Sequence, residues 1–133
     1  MKVPSGFVPF PNQGPFLETV GPIHVREGGE ELVLGLRAEE RHANHRGTVQ
    51  GGLLSTFADF ALGRAIDADA EDGKPRATVS LTVDFLKPAK PGDWIESSTR
   101  VDRVGGTLAF ADCSLTVDGG EVVRARAVWV VAG

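Results

Sequence analysis

Two adjacent glycines, Gly51 and Gly52, stand at the start of the one strongly helical segment of the sequence. Glycine inside a helix costs about 1 kcal/mol relative to alanine, so its presence here needs a reason. At a helix N-terminus the backbone N–H groups have no intrahelical acceptor, and glycine lets another group approach them closely. Such an end can stabilise the oxyanion that develops on a carbonyl. Close packing of the helix start against a sheet would explain the glycines equally well.

An aspartate, Asp59, lies in the middle of the same apolar segment, although aspartate is a poor helix former. A buried carboxylate costs free energy unless it is paired or hydrogen-bonded. None of its neighbours one turn away is a cation, and most are small enough to leave a hollow: Ser55, Thr56, Leu62 and Gly63. Asp59 is therefore a candidate general base or nucleophile. The alternative is a side chain that points to solvent or hydrogen-bonds a loop.

A polar loop precedes the glycines and contains three further candidates. Asn44 stands seven residues before Gly51, and its amide could donate to a substrate carbonyl or to water. Asparagine also serves local hydrogen bonding in loops, so that function is the alternative. For His42 and His45 we favour a role in holding the loop.

The spacing along the helix constrains how these groups can act together. Gly51 and Asp59 are eight residues apart, hence about 12 Å apart along a helix axis. An oxyanion donor and an attacking group must both lie about 3 Å from one reacting carbon. If both act, Gly51 of one chain must face Asp59 of a second copy. The sequence therefore predicts a homodimer with two equivalent active sites.

The elements that position these groups follow from hydrophobic periodicity. Residues 50–66 carry apolar side chains at three- and four-residue steps on nearly every side, which predicts a buried helix. Residues 31–37 and 77–85 alternate apolar and polar positions as strands do. Three more strands are predicted over residues 94–104, 107–117 and 121–131, joined by glycine turns. Residues 1–30, rich in proline and glycine, are predicted to form an irregular arm with one helical turn at 16–20. The arrangement is an α+β domain over residues 31–133.

Composition narrows the partners and the location. The formal net charge is −4 with no basic stripe, which argues against DNA or RNA. No apolar run could cross a membrane, and the N-terminus lacks a signal-like core, so a cytoplasmic location is expected. The single cysteine, Cys113, alternates with apolar residues and is predicted to be a buried strand residue rather than a nucleophile. No metal site and no cofactor are predicted.

The segment over residues 42–59 resembles the hotdog-fold thioesterases, in particular the phenylacetic-acid-degradation (PaaI-like) branch of the 4-hydroxybenzoyl-CoA thioesterase superfamily. Asn44, Gly47, Gly51, Gly52 and Asp59 keep that branch's spacing. Phe85-Leu-Lys-Pro88 and Pro91-Gly-Asp93 match its next strand and turn. The resemblance implies a hotdog fold, in which one long central helix is wrapped by a curved antiparallel sheet.

The resemblance also implies roles for individual residues. The Gly51 N–H, helped by Asn44, would polarise a thioester carbonyl, and Asp59 of the partner chain would activate water or attack directly. A hydroxyl residue that orients the water corresponds to Thr78, although this side chain could equally face solvent. Gln50 stands where the family has a histidine. The substrate is expected to contact this residue and three others: Gly52, His42 and Thr56.

The expected activity is hydrolysis of a small aromatic or a short- to medium-chain acyl-CoA, with CoA as part of the substrate. Two dimers could join into a tetramer. The phosphates of CoA could be bound by basic residues on the surface: Arg46, Arg100, Arg103, Lys87 and Lys90. Gln50 favours one alternative, an acyl-CoA sensor that has a binding pocket without turnover. A hotdog dehydratase is a weaker alternative, because no histidine opens the helix.

Overall fold

The computed structural model describes residues 2–132 and contains two α-helices and seven strands. The helices are α1 (Pro15–Val20) and α2 (Gly51–Ala70), and a short 3-10 helix spans Glu40–His42. The strands are β1 (Phe7–Pro9), β2 (His24–Arg26), β3 (Leu34–Arg37), β4 (Arg76–Phe85), β5 (Trp94–Val104), β6 (Leu108–Val117) and β7 (Gly120–Val131). The predicted strands and helix are all present, with boundaries that differ by a few residues.

All seven strands form one antiparallel sheet in the order β1-β2-β3-β5-β6-β7-β4. Helix α2 lies against one face of this sheet and contacts four of its strands, β4, β5, β6 and β7. The core between them is apolar and includes Phe57, Leu62, Ile66, Leu115 and Val123. The α+β architecture with one long helix on a curved antiparallel sheet is confirmed.

Helix α2 is buried along one side only, which differs from the prediction of a helix apolar on nearly every side. Leu54, Phe57, Ala58 and Ala61 are buried against the sheet, whereas Asp59 is partly exposed at the flank of the helix, beside β4. Gly63 permits the closest approach, because a Cβ there would lie 2.4 Å from the ring of Trp129. The helix also runs one turn further than predicted and ends at Glu71, which has a left-handed backbone (φ 49°).

The N-terminal segment is more ordered than the predicted irregular arm. Besides the expected helical turn, now α1, it contributes strands β1 and β2, which extend the sheet beyond β3. Each of these strands is only three residues long, so neither produces a detectable alternation of apolar and polar residues. The structure places β1 and β2 in the same sheet as the rest of the domain.

Strand β4 contains a bulge that changes which side chains face the helix. Thr78 pairs with Trp129 and Ser80 pairs with Val128, so Val79 is the extra residue. An extra residue reverses the alternation of side chains across the strand. Leu81 and Thr78 therefore lie on the same face of the sheet. Their cross-strand partners on β7, Ala127 and Trp129, lie on that face too. Regular alternation over residues 77–85 would place Thr78 on the polar face of the strand, away from the apolar residues. The bulge makes that expectation wrong for Thr78.

No helix within residues 2–132 has the length and hydropathy needed to cross a membrane.

Candidate active site

The first half of the candidate site is the N-terminus of α2. Gln50 is the N-cap residue, and its carbonyl accepts the N–H groups of Leu53 and Leu54. Among the described residues, no acceptor lies within hydrogen-bond distance of the Gly51 or Gly52 N–H. Both groups are therefore available to an outside oxygen, as the sequence predicted. A Cβ on Gly51 would lie 3.2 Å from the Phe85 ring, so this glycine also allows a close approach.

A cavity of about 370 Å³ opens beside Gly51. The loop before the helix and the end of β4 form its walls, which include Asn44, Arg46, Phe85 and Lys87. Arg46 and Lys87 are exposed, and neither makes an ion pair with any residue in 2–132. Arg100, by contrast, is paired with Asp102 and Asp112 on the outer face of the sheet.

Asn44 shapes the loop on this wall. Its Oδ1 accepts the backbone N–H groups of Arg46 (2.9 Å) and Thr48 (3.2 Å), and its Nδ2 donates to the Thr48 hydroxyl (2.9 Å). These bonds are the local hydrogen bonding in the loop that was the alternative to a contact between Asn44 and the substrate. One hydrogen of the Asn44 amide is still without a partner among the described residues, because Nδ2 carries two.

His42 is buried and holds the loop to α1, as favoured from the sequence. Its Nδ1 accepts the Glu39 N–H (2.9 Å), and its Nε2 lies 2.6 Å from the Val20 carbonyl. A carbonyl can only accept, so Nε2 is the donor of this hydrogen bond. Both ring nitrogens are thus occupied, which leaves neither for the expected contact with substrate. His45 is exposed, and the Gln50 side chain is exposed without a hydrogen bond to the described residues.

The second half of the site is Asp59 with Thr78. The Thr78 hydroxyl donates to Asp59 Oδ1 at 2.7 Å. The contact exists because the β4 bulge turns Thr78 towards α2. Thr78 is nevertheless exposed to solvent, and the contact gives the Asp59 carboxylate a partner that the helix itself does not supply. Oδ2 of Asp59 accepts no hydrogen bond from the residues described.

A cavity of about 480 Å³ adjoins Asp59 and is bordered by Thr56 as well as by residues that the sequence did not single out. Arg64 and Arg76 are two of the latter, and each is ion-paired with an aspartate, at 2.6 Å to Asp67 and 2.8 Å to Asp72. The i,i+3 spacing of Arg64 and Asp67 on a helix was a visible signal for one pair. Trp129 packs on Gly63 and also borders this cavity.

Within one chain the two halves remain separate. The cavity beside Gly51 does not include Asp59, and the cavity beside Asp59 does not include Gly51. Both residues lie on one continuous helix, so their separation along its axis is about 12 Å. Thr56 borders the Asp59 cavity and a third cavity that reaches Gly52.

Cys113 and metal binding play no part in the geometry just described. Cys113 is buried in β6, and burial raises the pKa of its thiol to about 12, so the thiolate is scarce at neutral pH. Within residues 2–132, no group of three His, Cys, Asp or Glu side chains is arranged to hold a metal ion.

Comparisons with known proteins identify the family. Residues 46–124 match the thioesterase superfamily. The chain is 46% identical over 116 residues to an esterase-like protein of Pseudomonas aeruginosa, covering 86% of this chain and 87% of that protein. It is 36% identical to mouse acyl-coenzyme A thioesterase 13 over 65% of this chain, and it spans 61% of the mouse protein.

A solved structure supports the same relationship. A phenylacetic acid degradation-related protein of Ralstonia eutropha superposes with a TM-score of 0.78 at 28% identity, covering 89% of this chain and 91% of that one. The hotdog fold and the PaaI-like resemblance inferred from residues 42–59 are therefore confirmed. The chain belongs to the thioesterase superfamily and is a thioester hydrolase.

Proposed function

We propose that the chain hydrolyses acyl-CoA thioesters to a free acid and CoA, in active sites that each combine two subunits. The observation that carries this proposal is the division of the catalytic groups. The free N–H groups at the start of α2 and the Asp59–Thr78 pair belong to different cavities of one chain. Each half lacks what the other supplies, so a second copy completes both.

Two observations support CoA as the thiol part of the substrate: the basic residues at the Gly51 cavity and the name of one relative. The mouse relative is named an acyl-coenzyme A thioesterase. Arg46 and Lys87 border the Gly51 cavity without ion-pair partners among the described residues, so their charges are available to the phosphates of CoA. Of the five basic residues considered from sequence, these two are our choice for that contact.

The dimer is supported by the position of β4. This strand is terminal in the sheet, so one edge of its ten residues has no partner strand among residues 2–132. Val79 and Phe85 are 59% and 54% exposed along it. An exposed apolar edge strand favours pairing with another chain. Antiparallel pairing of two β4 strands would continue the sheet across the dimer and bring each α2 towards its partner. Association of two dimers into a tetramer and a cytoplasmic location stay predictions.

In the reaction we propose, the thioester carbonyl oxygen accepts the Gly51 N–H, with the spare Asn44 hydrogen as a possible second donor. The partner's Asp59 either removes a proton from an attacking water or attacks the carbonyl carbon itself. Negative charge then develops on the carbonyl oxygen, where the helix N-terminus stabilises it. The C–S bond breaks, and the CoA thiolate leaves and takes a proton. With water as the nucleophile, the free acid is then released; after direct attack, water first hydrolyses the acyl anhydride formed on Asp59. No cofactor is needed, because water is the only co-reactant.

One observation favours a second candidate, an acyl-CoA sensor without turnover. Gln50 stands where the PaaI-like thioesterases have a histidine, and an amide cannot transfer protons as an imidazole does. The dehydratase alternative is not supported by the geometry, because both nitrogens of His42 are hydrogen-bonded to backbone groups.

The decisive experiment measures thiol release from a panel of aromatic and straight-chain acyl-CoA esters, with wild type beside Asp59→Asn. We expect turnover by the wild type and a loss of about 10²-fold or more in the variant, because Asn can neither act as base nor attack. The fold and oligomer should be retained. Full activity of Asp59→Asn would refute the mechanism. Binding of the esters without turnover by either protein would establish the sensor.

A further inference from the structure

The most distinctive feature outside the catalytic groups is a groove between α1 and the exposed side of α2. It consists of two cavities of about 460 and 480 Å³ that share two wall residues, Phe16 and Thr56. One cavity reaches Gln50 and Gly52 at the start of α2, and the other reaches Asp59. We call the two together the α1–α2 groove.

Most of the surface that lines the α1–α2 groove is apolar, although several polar and charged side chains also border it. Val20 and Leu53 border the first cavity, and Leu17 and Phe60 border the second. Phe16 borders both cavities, and at 63% it is the most exposed of the large hydrophobic residues within 2–132. A contiguous apolar surface that remains exposed is typical of a ligand-binding groove.

Helix α1 is held firmly, so Phe16 has a defined position. Leu17, its neighbour, is buried in the core. The Gln13 side chain exchanges two hydrogen bonds with the backbone of Ile23, at 2.8 and 3.2 Å, and donates a third to Phe10. At the other end of α1, His42 donates to the Val20 carbonyl and Arg41 donates to the Thr19 carbonyl at 2.5 Å. These bonds tie α1 to the loop that precedes α2.

We infer that the α1–α2 groove holds the acyl group and that Phe16 sets the length of the acyl chain that the enzyme accepts. The inference rests on the proposed function. Three observations support it: most of the groove's lining surface is apolar, its two cavities are within the size range of small-molecule sites, and one of them ends at the Asp59 carboxylate. An acyl chain whose carbonyl lies near Asp59 extends along the groove until it meets the Phe16 ring.

The test uses two variants of opposite effect and a homologous series of straight-chain acyl-CoA esters, from butanoyl to hexadecanoyl. Phe16→Ala joins the two cavities, and Phe16→Trp narrows the passage between them. Leu108→Ala is the matched control, because Leu108 is also exposed (39%) but borders neither cavity. For each protein, kcat/KM is measured across the series, and the oligomeric state is measured by sedimentation.

We expect Phe16→Ala to raise the ratio of kcat/KM for the longest ester to that for the shortest by about tenfold or more. One methylene more or less in a hydrophobic pocket changes the ratio of kcat/KM between two substrates by about 10- to 200-fold. Phe16→Trp should lower the same ratio, and Leu108→Ala should leave it at the wild-type value. Both Phe16 variants should still hydrolyse the shortest ester, which separates a changed length limit from misfolding.

Two results would overturn the inference while leaving the proposed function intact. In the first, wild type hydrolyses the esters but all the variants share its length profile. In the second, Phe16→Ala dissociates the oligomer without a change in profile, which would make the groove a contact between subunits. A wild-type protein that hydrolyses none of the esters would instead contradict the proposed function.

Discussion

At the scale of single residues, the hydrogen bond between Thr78 and Asp59 determines what each group still offers to a substrate. A threonine hydroxyl has one hydrogen, and here it is donated to Asp59 Oδ1. Thr78 Oγ1 therefore keeps only acceptor positions, and Asp59 keeps the lone pairs of Oδ2. A water that donates one hydrogen to each oxygen would be held with its own lone pair free to attack. This arrangement favours Asp59 as a general base, with direct attack as the alternative.

The first prediction concerns Thr78. Thr78→Val removes the donor at nearly constant volume, whereas Thr78→Ser keeps it. A hydrogen bond to a charged group contributes about 1.5–3 kcal/mol, so we expect kcat/KM to fall by about 10- to 100-fold in the valine variant. The serine variant should stay within about threefold of wild type, because its hydroxyl can make the same bond. Equal activity of the valine and serine variants would show that the hydroxyl has no role.

The second prediction concerns Gln50, which stands where the PaaI-like thioesterases have a histidine. The side chain is exposed and caps no N–H group, so Gln50→His should leave folding within about 0.5 kcal/mol of wild type. We expect kcat/KM to be equal to or higher than that of wild type, because an imidazole can also donate and accept. Gln50→Ala is the control, because a change of kcat/KM in this variant would show that the amide itself has a role. Loss of folding in Gln50→His, measured by thermal unfolding, would mean that this loop differs from the family's.

At the scale of elements, the bulge in β4 connects the sheet to the site. Without the extra residue at Val79, regular alternation would place Thr78 on the face away from α2, where it could not reach Asp59. The same bulge leaves Leu81 and Val83 packed against the core. One irregularity in the strand therefore supplies both an apolar face and the hydroxyl that hydrogen-bonds Asp59.

The sequence predicted the long elements well and the short or irregular ones poorly, for physical reasons. Helix α2 and strands β4 to β7 repeat their periodic patterns often enough to be recognised, and β5 matches the prediction to the residue. Strands β1 and β2 are stabilised by pairing with neighbours rather than by their own patterns. The bulge at Val79 leaves no trace in an alternating sequence, so the orientation of Thr78 could not be derived. Gly51 and Asp59 could be singled out because both contradict helix propensity.

At the scale of the whole molecule, the separation of the two half-sites along α2 links the proposed function to assembly. A chain with a continuous helix from Gly51 to Ala70 cannot fold its own Asp59 back to its own Gly51. If both residues act on one substrate, as we propose, the catalytic unit is the pair of chains, and each subunit contributes a different half to each of two sites. Variants in opposite halves should therefore complement one another.

The last prediction tests this complementation with Gly51→Pro and Asp59→Asn. Proline is tolerated in the first turn of a helix and removes the N–H that would bind the oxyanion. Its Cβ would lie 3.2 Å from the Phe85 ring, so this exposed ring must shift slightly, and thermal unfolding checks that the variant keeps its fold. Each variant alone should be nearly inactive. In a heterodimer, the Asp59→Asn chain supplies an intact Gly51 and the Gly51→Pro chain supplies an intact Asp59, so one of the two sites is complete. Equal amounts, after subunit exchange, make about half of all dimers heterodimers, so activity should return to about a quarter of wild type. Native mass spectrometry confirms the exchange. An inactive mixture that contains heterodimers would show that the two halves do not meet across the dimer.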